Sequence, residues 1–290
     1  MQDIIVKATA FNGMVRAYAA NTTELVGEVC RRQDTWATSS AALGRTLTIT
    51  GLVASMHKGE DTVTVKVEGD GPMRAIVADG HANGAVRGYT LNPHVEFPLN
   101  DVGKLDVKRA VGEAGTLSVV KDLGLKNYFT GQVPLVSGEI SEDFTYYFAT
   151  SEQTPSAVAS GVIVDTDLSI KAAGGFVVQL MPGASEEVID QLEQKINAFP
   201  PISSLIEAGK SPGDILELLF HDADLIKHEE APVYFECQCS RDRMLTAIEG
   251  LGKEEIQAMI EEDHGAETTC HFCNESYYIT EEELNDLLGK

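Results

Sequence analysis

The stretches that decide the fold of the C-terminal third are Cys237-Gln238-Cys239 and Cys270-His271-Phe272-Cys273. They form two close pairs of cysteines with thirty residues between them, a spacing that lets two turns converge and supply four sulfurs tetrahedrally. Four thiolates suit zinc best, and they leave no coordination position open for a substrate. The sequence therefore predicts one Zn²⁺ per chain, held by Cys237, Cys239, Cys270 and Cys273 in a structural role.

Other sulfur and nitrogen groups compete less well for a role in this site. Cys30 lies far from the pairs in the sequence, and we predict that it is a buried core thiol. His264 and His271 could each replace a sulfur ligand, but the cysteine set is complete without them. A thioredoxin-like role for Cys270 and Cys273 would place the pair at the start of a long helix, whereas two tyrosines follow it here.

The residues around the cysteines carry helix signals but little apolar material. Ser240 can cap one helix, a second runs from Lys253 towards His264-Gly265, and Thr280 with Glu283 makes a capping box. A unit of this size with so small a core commonly needs a metal to fold. We therefore predict a separate C-terminal zinc domain over residues 232–290.

Charge separates the two ends of the chain. The net charge is −23, and from Met181 to Lys290 there are 25 Asp and Glu residues against 7 Lys and Arg, a net of −18. The C-terminal third therefore repels itself and depends on another interaction to stay folded. A strongly acidic chain also argues against a nucleic-acid partner, because phosphate binding needs clustered Lys and Arg.

The first 180 residues are predicted to be an N-terminal domain that mixes helices and β-sheets. Strand candidates separated by turn signals cover Asp3–Phe11, Thr62–Glu68, Met73–Asp79 and Gly161–Asp165. Helix-length stretches with few breakers are Thr22–Gln33 and Thr38–His57, although the β-branched run Thr46–Thr50 disfavours the second. The predicted fold class is therefore α+β, with a helical linker and a small C-terminal helical zinc module.

A second strand-rich stretch is predicted over Tyr128–Thr150. It carries four aromatic side chains close together, namely Phe144, Tyr146, Tyr147 and Phe148. Large aromatic side chains contribute most to burial when they pack in a core. We therefore expect these four to lie in the core of the N-terminal domain.

Residues 181–231 are predicted to form a linker of short amphipathic helices. Ser185 can cap the first helix and Pro212 opens the last. The apolar residues recur at helical spacing, and they are Val188, Ile189, Leu192 and Ile196 in the first helix and Ile215, Leu216, Leu219 and Phe220 in the last. Such helices are marginal alone and must dock on another surface.

Sequence motifs for catalysis and for membranes are absent from the chain. We find no nucleophile elbow, Walker sequence or dinucleotide glycine pattern, and therefore expect neither an enzyme nor a use of ATP. The acidic, histidine-bearing run from His221 to Glu230 could bind a metal, but we expect it to be a solvent-exposed connection between the linker and the zinc domain. No apolar run is long enough to span a bilayer, and the N-terminus lacks the pattern of a secretory signal. These features predict a cytoplasmic protein without a membrane partner.

A family resemblance covers essentially the whole chain. The segments FHDADLIKHEEAPVYFECQCSRDRM at 220–244 and ETTCHFCNESYYI at 267–279 resemble the zinc module of the heat-shock protein 33 family of bacterial chaperones. Earlier segments are also similar to that family, and they are GDGPMRAIVADGHANGAVRGY at 69–89, SGEISEDFTYYFATSEQTPSAVA at 137–159 and GGFVVQLMPGAS at 174–185. The four cysteine positions show no departure from the family pattern.

The resemblance implies a function. It implies an ATP-independent holdase that captures unfolding proteins, is activated by oxidation under unfolding conditions, and is a homodimer when active. It also implies that the four cysteines sense oxidants and form the disulfides Cys237–Cys239 and Cys270–Cys273. From the residues themselves, these pairings are also the nearest in sequence, and each closes only a tiny loop.

Client binding is a hypothesis at this stage. If oxidation releases the zinc, the acidic C-terminal third should loosen and uncover the apolar stripe of the linker, and large exposed apolar patches mark interaction sites. The candidate client-binding residues are Ile189, Leu192, Ile196, Ile215, Leu216 and Leu219. Two alternatives stay open, a constitutive zinc domain for protein–protein interaction without redox control and a metallohydrolase centred on residues 221–230.

Overall fold

A computed structural model describes residues 2–289 and divides the chain into two compact units. The first unit extends to Glu236 and the second begins at Cys237. Within the described residues, no helix is both long enough and apolar enough to pass through a bilayer.

The first unit mixes strands and helices along its whole length. Its strands are β1 Ile4–Ala10, β2 Val15–Asn21, β3 Thr62–Gly69, β4 Ala75–His81, β5 Ala85–Thr90, β6 Gly115–Asp122, β7 Phe129–Pro134, β8 Ser156–Val164, β9 Ile170–Leu180, β10 Ile226–Pro232 and β11 Tyr234–Phe235. Its helices are α1 Thr23–Gln33, α2 Ala37–Ala54, α3 Val107–Val111, α4 Ser141–Thr150, α5 Glu186–Asn197, α6 Ile202–Glu207 and α7 Pro212–Phe220. The predicted mixed α and β body is therefore confirmed.

The strands of residues 2–236 form two sheets. One sheet has the order β10-β1-β2-β9-β8 and is antiparallel throughout. The other has the order β11-β5-β4-β3-β6-β7 and is antiparallel except for β11, which runs parallel to β5. Helix α2 packs against strands of both sheets, and the main hydrophobic core of the unit surrounds it.

Helix α2 confirms the predicted helix at 38–57, in spite of its β-branched run. All its residues are buried except Ala37 and Arg45. The hydroxyls of Thr46, Thr48 and Thr50 donate to the carbonyl oxygens four residues earlier at 3.0, 2.8 and 2.8 Å. The threonines thus satisfy their polar atoms inside the helix itself, which allows them to be buried.

The prediction of a strand-rich stretch over Tyr128–Thr150 is wrong in its second half. Strand β7 lies in this range, but Ser141–Thr150 is helix α4. Phe144, Tyr147 and Phe148 are buried as expected, whereas Tyr146 is 37% exposed. The three buried rings recur at the i, i+3 and i+4 spacing of a helix face, so the fourth ring points away from the core.

Helices α5, α6 and α7 cover the sheet that contains β1, β2, β8 and β9. Ser185 caps α5 by accepting a hydrogen bond from the Val188 amide at 3.4 Å, and Ser211 and Asp214 form a capping box around Pro212. The buried residues of the last helix are Pro212, Gly213, Ile215, Leu216, Leu219 and Phe220. They share a second hydrophobic core with Val6, Phe176 and Val178 of the sheet.

Strand β10 is a feature that sequence analysis missed. Residues 226–232 pair antiparallel with β1, although the sequence predicted a solvent-exposed connection there. Every side chain of β10 except that of Ala231 is exposed, which is typical of a charged edge strand that resists further pairing. His228 contacts the Thr9 hydroxyl at 2.8 Å and Glu229 pairs with Lys7 at 3.0 Å.

One titratable group in this unit predicts a pH dependence of stability. Asp3 is only 5% exposed, and its carboxylate accepts a hydrogen bond from the Leu25 amide at 2.7 Å. Burial raises the pKa of Asp3 from 3.8 to about 6, against the effect of the backbone amides of Leu25 and Glu24. The folded protein therefore binds more protons than the unfolded chain between these two values, so this group lowers the free energy of unfolding as pH rises through that window.

We expect the Asp3→Asn variant to lose this contribution. Its amide oxygen can still accept from Leu25, so at pH 7.5 the variant should be more stable than the parent by on the order of 2 kcal/mol. The difference should shrink towards pH 4 in urea titrations of both proteins. The exposed Asp101→Asn change is the matched control, and an Asp3→Asn difference that stays constant with pH would contradict the assignment.

Candidate metal centre

The second unit is a small assembly of helices around a hairpin. Its elements are α8 Arg241–Glu249, α9 Lys253–Asp263, β12 Gly265–Thr269, β13 Ser276–Thr280 and α10 Glu281–Leu288. Strands β12 and β13 pair antiparallel from Gly265 opposite Thr280 to Thr269 opposite Ser276. The sequence predicted the three helices but not the hairpin, because polar residues dominate β12 and it shows no alternation of apolar side chains.

The predicted helix caps are confirmed. Ser240 accepts a hydrogen bond from the Arg243 amide at 3.3 Å, and Thr280 and Glu283 form a capping box. Arg241 also donates to the Glu283 carboxylate at 2.9 and 2.6 Å. This charge-assisted pair joins the first residue of α8 to α10.

The hydrophobic core of this unit is small. Among the described residues its buried apolar side chains are Ile248, Ile256, Ile260, Ile279, Leu284 and Leu287. The sequence of residues 237–290 carries 13 Asp and Glu against 4 Lys and Arg. A core of this size, in a segment with so much negative charge, contributes little net stability.

The cysteines come from two short connecting segments. Cys237 and Cys239 immediately precede α8, and Cys270 and Cys273 lie in the turn that joins β12 to β13. This second turn is closed by a bond from the Asn274 amide to the Cys270 carbonyl at 2.8 Å and by one from the Cys270 amide to the Glu275 carbonyl at 2.9 Å. Asn274 has a φ of 56°, a left-handed conformation that asparagine tolerates better than most residues. The backbone therefore directs both sulfurs of the turn to the same side.

The four sulfurs form a compact cluster. Cys237 Sγ lies 3.7 Å from Cys270 Sγ, and Cys239 Sγ lies 3.3 Å from Cys273 Sγ. All four ligand atoms lie within 4.8 Å of one another, and all four cysteines are free thiols. Tetrahedral coordination with metal–sulfur bonds of about 2.3 Å separates the sulfurs by about 3.8 Å. The donor set and its spacing thus fit a tetrahedral thiolate-bound metal ion.

The electrostatics of the cluster favour a cation. Burial raises the pKa of Cys237 and of Cys273. At Cys273 hydrogen bonds with the neighbouring thiols add to this effect, whereas at Cys237 they act in both directions. At Cys239 burial acts in the same direction, but hydrogen bonds from the Tyr277 hydroxyl and the other thiols outweigh it and lower the pKa. A divalent ion at the centre of the cluster would convert the thiols to thiolates and remove the cost of their mutual proximity.

Tyr277 is a neighbour of the cluster that sequence analysis did not assign. Its hydroxyl lies 3.3 Å from Cys239 Sγ, although the two residues are far apart in the sequence. Tyr277 lies in β13, which pairs with β12 beside the turn that carries Cys270 and Cys273. The available sequence clue was an aromatic residue four positions after Cys273, which alone is not specific.

The other groups considered from the sequence lie elsewhere. Cys30 is buried in the first unit as predicted, and burial raises the pKa of its thiol to about 11. Within residues 2–289, the four cysteines are the one group of three or more His, Cys, Asp or Glu side chains arranged to hold a metal. The residues of the 221–230 run make separate contacts, such as Asp222 with Lys195 and Glu229 with Lys7.

The fold and this site define a class of protein, an α+β body followed by a small module whose four clustered cysteines could hold a metal ion. The family described as Hsp33 protein matches residues 3–280. The chain is 64% identical over 287 residues to the 33 kDa chaperonin of Oceanobacillus iheyensis and 59% identical over 287 residues to that of Halalkalibacterium halodurans, with 99% of each chain covered in both cases.

A solved structure agrees with these relatives. The crystal structure of the 33 kDa chaperonin, or heat shock protein 33 homolog, of Thermotoga maritima superimposes with a TM-score of 0.92 at 40% identity, and the match covers 100% of this chain and 98% of that one. The chain belongs to the heat-shock protein 33 family of chaperones. The family resemblance noted in the sequence is thereby confirmed.

Proposed function

We propose that this chaperone is a redox-regulated, ATP-independent holdase whose reduced, zinc-bound form is inactive. The observation that carries the proposal is the cluster of four free cysteine sulfurs within 4.8 Å of one another in a unit with a small core. In that setting the same four atoms can hold the unit together and can react with an oxidant. Its partners are unfolded or partly folded proteins, and neither nucleic acid nor membrane is among them.

Zinc is the proposed metal, with Cys237, Cys239, Cys270 and Cys273 as its ligands. A closed four-sulfur site is typical of structural zinc, which has no redox chemistry of its own and prefers tetrahedral coordination. When bound, the ion would stabilise the thiolates and connect the segment before α8 to the turn between β12 and β13. The protein's own residues supply everything else, namely the turn geometry and the hydrogen bond from Tyr277.

Oxidation would convert this long-range connection into local ones. A thiolate sulfur attacks a peroxide, the O–O bond breaks, and a sulfenic acid and water form after a proton is taken up. A neighbouring thiol then displaces water from the sulfenic acid to form a disulfide. We propose the pairs Cys237–Cys239 and Cys270–Cys273, because residues so close in the chain stay together after the metal leaves. Neither bond joins residue 239 to residue 270, so the unit loses its cross-link.

We propose that the linker, residues 181–231, couples this reaction to client binding. We propose a regulatory division into residues 1–180, 181–231 and 232–290, in which the linker helices detach once the zinc domain unfolds. Most apolar side chains of α5 and α7 lie towards the sheet, with Leu192, Ile215, Leu216 and Leu219 buried and Ile189 and Ile196 partly buried. Detachment would expose these six candidate client-binding residues and the sheet surface beneath them.

The active form is proposed to be a homodimer in the cytoplasm. The family resemblance supports the dimer. Free thiols grouped so that they can bind a metal are typical of a reducing compartment. We expect the protein to hold clients without turning over any substrate. Protein concentration should therefore affect the activity of the oxidised form, since dimers form by mass action.

The direct test combines zinc release with client protection. Zinc-loaded protein is treated with peroxide at elevated temperature while a chromophoric chelator records the ion, and the product is added to a heat-denatured test enzyme. We expect about one zinc per chain to be released and aggregation to be suppressed by the oxidised form alone. Oxidised protein that fails to suppress aggregation would rule out the holdase, and zinc that stays bound would favour a constitutive structural zinc domain.

A further inference from the structure

We propose that Tyr277 is a positioning residue that lowers the reactivity of the Cys239 sulfur towards oxidants. This inference rests on the proposed zinc-bound redox site and adds to it a residue that is not a ligand. Its hydroxyl lies 3.3 Å from Cys239 Sγ, within reach of a hydrogen bond to sulfur.

The direction of this hydrogen bond follows from the chemistry of the sulfur. A thiolate bound to a metal carries no proton, so in the loaded site the hydroxyl must donate and the sulfur must accept. Donation withdraws electron density from the sulfur lone pairs that attack an oxidant. Hydrogen bonds to ligating sulfurs tune metal centres in the same way.

Control of reactivity towards oxidants matters at the Cys239 sulfur. Cys237 and Cys239 are partly exposed, whereas Cys270 and Cys273 are buried. An oxidant that diffuses in from solvent therefore reaches the first pair more easily. Tyr277 covers one sulfur of that pair.

The surrounding contacts hold Tyr277 and Cys239 in a fixed position relative to each other. The Tyr277 ring is partly buried and packs against the core of the unit, and its backbone pairs with Thr268 in the hairpin. From the other side, Arg241 binds the Glu283 carboxylate and donates to the Tyr278 carbonyl at 2.8 Å. Because Arg241 is two residues after Cys239, this network holds that sulfur against β13.

The adjacent tyrosine provides a matched control. Tyr278 is 56% exposed, and its hydroxyl contacts the His264 carbonyl at 3.4 Å rather than a sulfur. Tyr277→Phe and Tyr278→Phe therefore each remove one hydroxyl from neighbouring positions of the same strand. In both variants the ring remains to fill its place in the packing.

The test compares the zinc-loaded full-length parent with Tyr277→Phe and Tyr278→Phe. Peroxide-driven zinc release is followed with a chromophoric chelator, and early samples are quenched with a sulfenic-acid probe and mapped by mass spectrometry. Loss of one hydrogen bond of ordinary net strength should raise the rate about 3- to 10-fold in Tyr277→Phe. The share of sulfenic acid at Cys239 should rise with it, and Tyr278→Phe should match the parent.

Two results would overturn the assignment. A Tyr277→Phe rate equal to that of the parent would show that the Tyr277 hydroxyl has no influence. Acceleration of all four sulfurs in the same proportion would show a general loosening of the unit and not control of one sulfur. If the parent itself releases no zinc with peroxide, the redox function fails separately, and the rate of Cys239 alkylation by iodoacetamide in the same variants still tests Tyr277.

Discussion

Replacing Cys273 with serine is expected to unfold residues 237–290 while the first unit stays folded. A structural zinc site contributes roughly 10–16 kcal/mol of apparent binding free energy in small domains, which exceeds what the small core around Ile256, Ile260 and Leu284 can supply. A hydroxyl does not replace a thiolate as a zinc ligand at neutral pH. Loss of one ligand should therefore remove most of this stabilisation.

Hydrogen exchange followed by mass spectrometry measures this effect by segment. In the variant, the amides of α9, β12 and β13 should exchange as in an unfolded chain, whereas those of β3, β4 and α2 should keep their protection. Removal of zinc from the parent with a strong chelator should reproduce the pattern. Cys30→Ala is the control, because Cys30 is buried in the first unit, and persistent protection of β12 and β13 in Cys273→Ser would contradict the prediction.

The double variant Leu216→Ala/Leu219→Ala is expected to bind clients without oxidation. Both side chains are fully or almost fully buried between α7 and the sheet. Each Leu→Ala change in such a position costs about 2–5 kcal/mol, and the two sites share a core, so their effects need not add. Together they should detach α7 and its neighbours from β1 and β2 in the reduced protein.

The adjacent Leu218 offers a close control for this variant. Leu218 is 48% exposed, whereas Leu219 is 1% exposed, so Leu218→Ala removes the same atoms from the same helix at little cost. In reduced, zinc-loaded protein, the double variant should show faster exchange over residues 185–220 and should suppress aggregation of a heat-denatured enzyme. Faster exchange without suppression would place client binding on another surface, and an unchanged exchange rate would show that these leucines do not hold the linker.

Local sequence patterns predicted those parts of the protein that depend on local chemistry. The caps at Ser185, Ser240 and Thr280 were predictable because a side-chain oxygen satisfies an amide only two or three residues away. The apolar spacing in α5 and α7 likewise predicted the buried face of each helix, although Ile189 and Ile196 of α5 are only partly buried. The four cysteines were predictable as a set because metal ligands must be of a particular chemical type.

Other features required contacts between distant residues. The aromatic run at 144–148 was predicted to be extended. In the structure, packing against neighbouring strands and helix α2 favours a helix that buries three of its rings in the core. The charged strand β10 could not be predicted from its composition, because its pairing depends on the exposed edge of β1. A sequence pattern reports the preferences of a segment, whereas the partner of an edge strand is set by the rest of the fold.

The sequence by itself determined the α+β class, the family and the short amphipathic helices between residues 181 and 231, and it singled out the four cysteines, since each of these follows from residue type and short spacing. Only the tertiary structure decided that all four sulfurs lie within 4.8 Å of one another, that the linker leucines are buried against a sheet, and that the Tyr277 hydroxyl lies beside the Cys239 sulfur. The physical reason is that these contacts join residues far apart in the chain. Their geometry exists only after the strands have paired and the helices have packed.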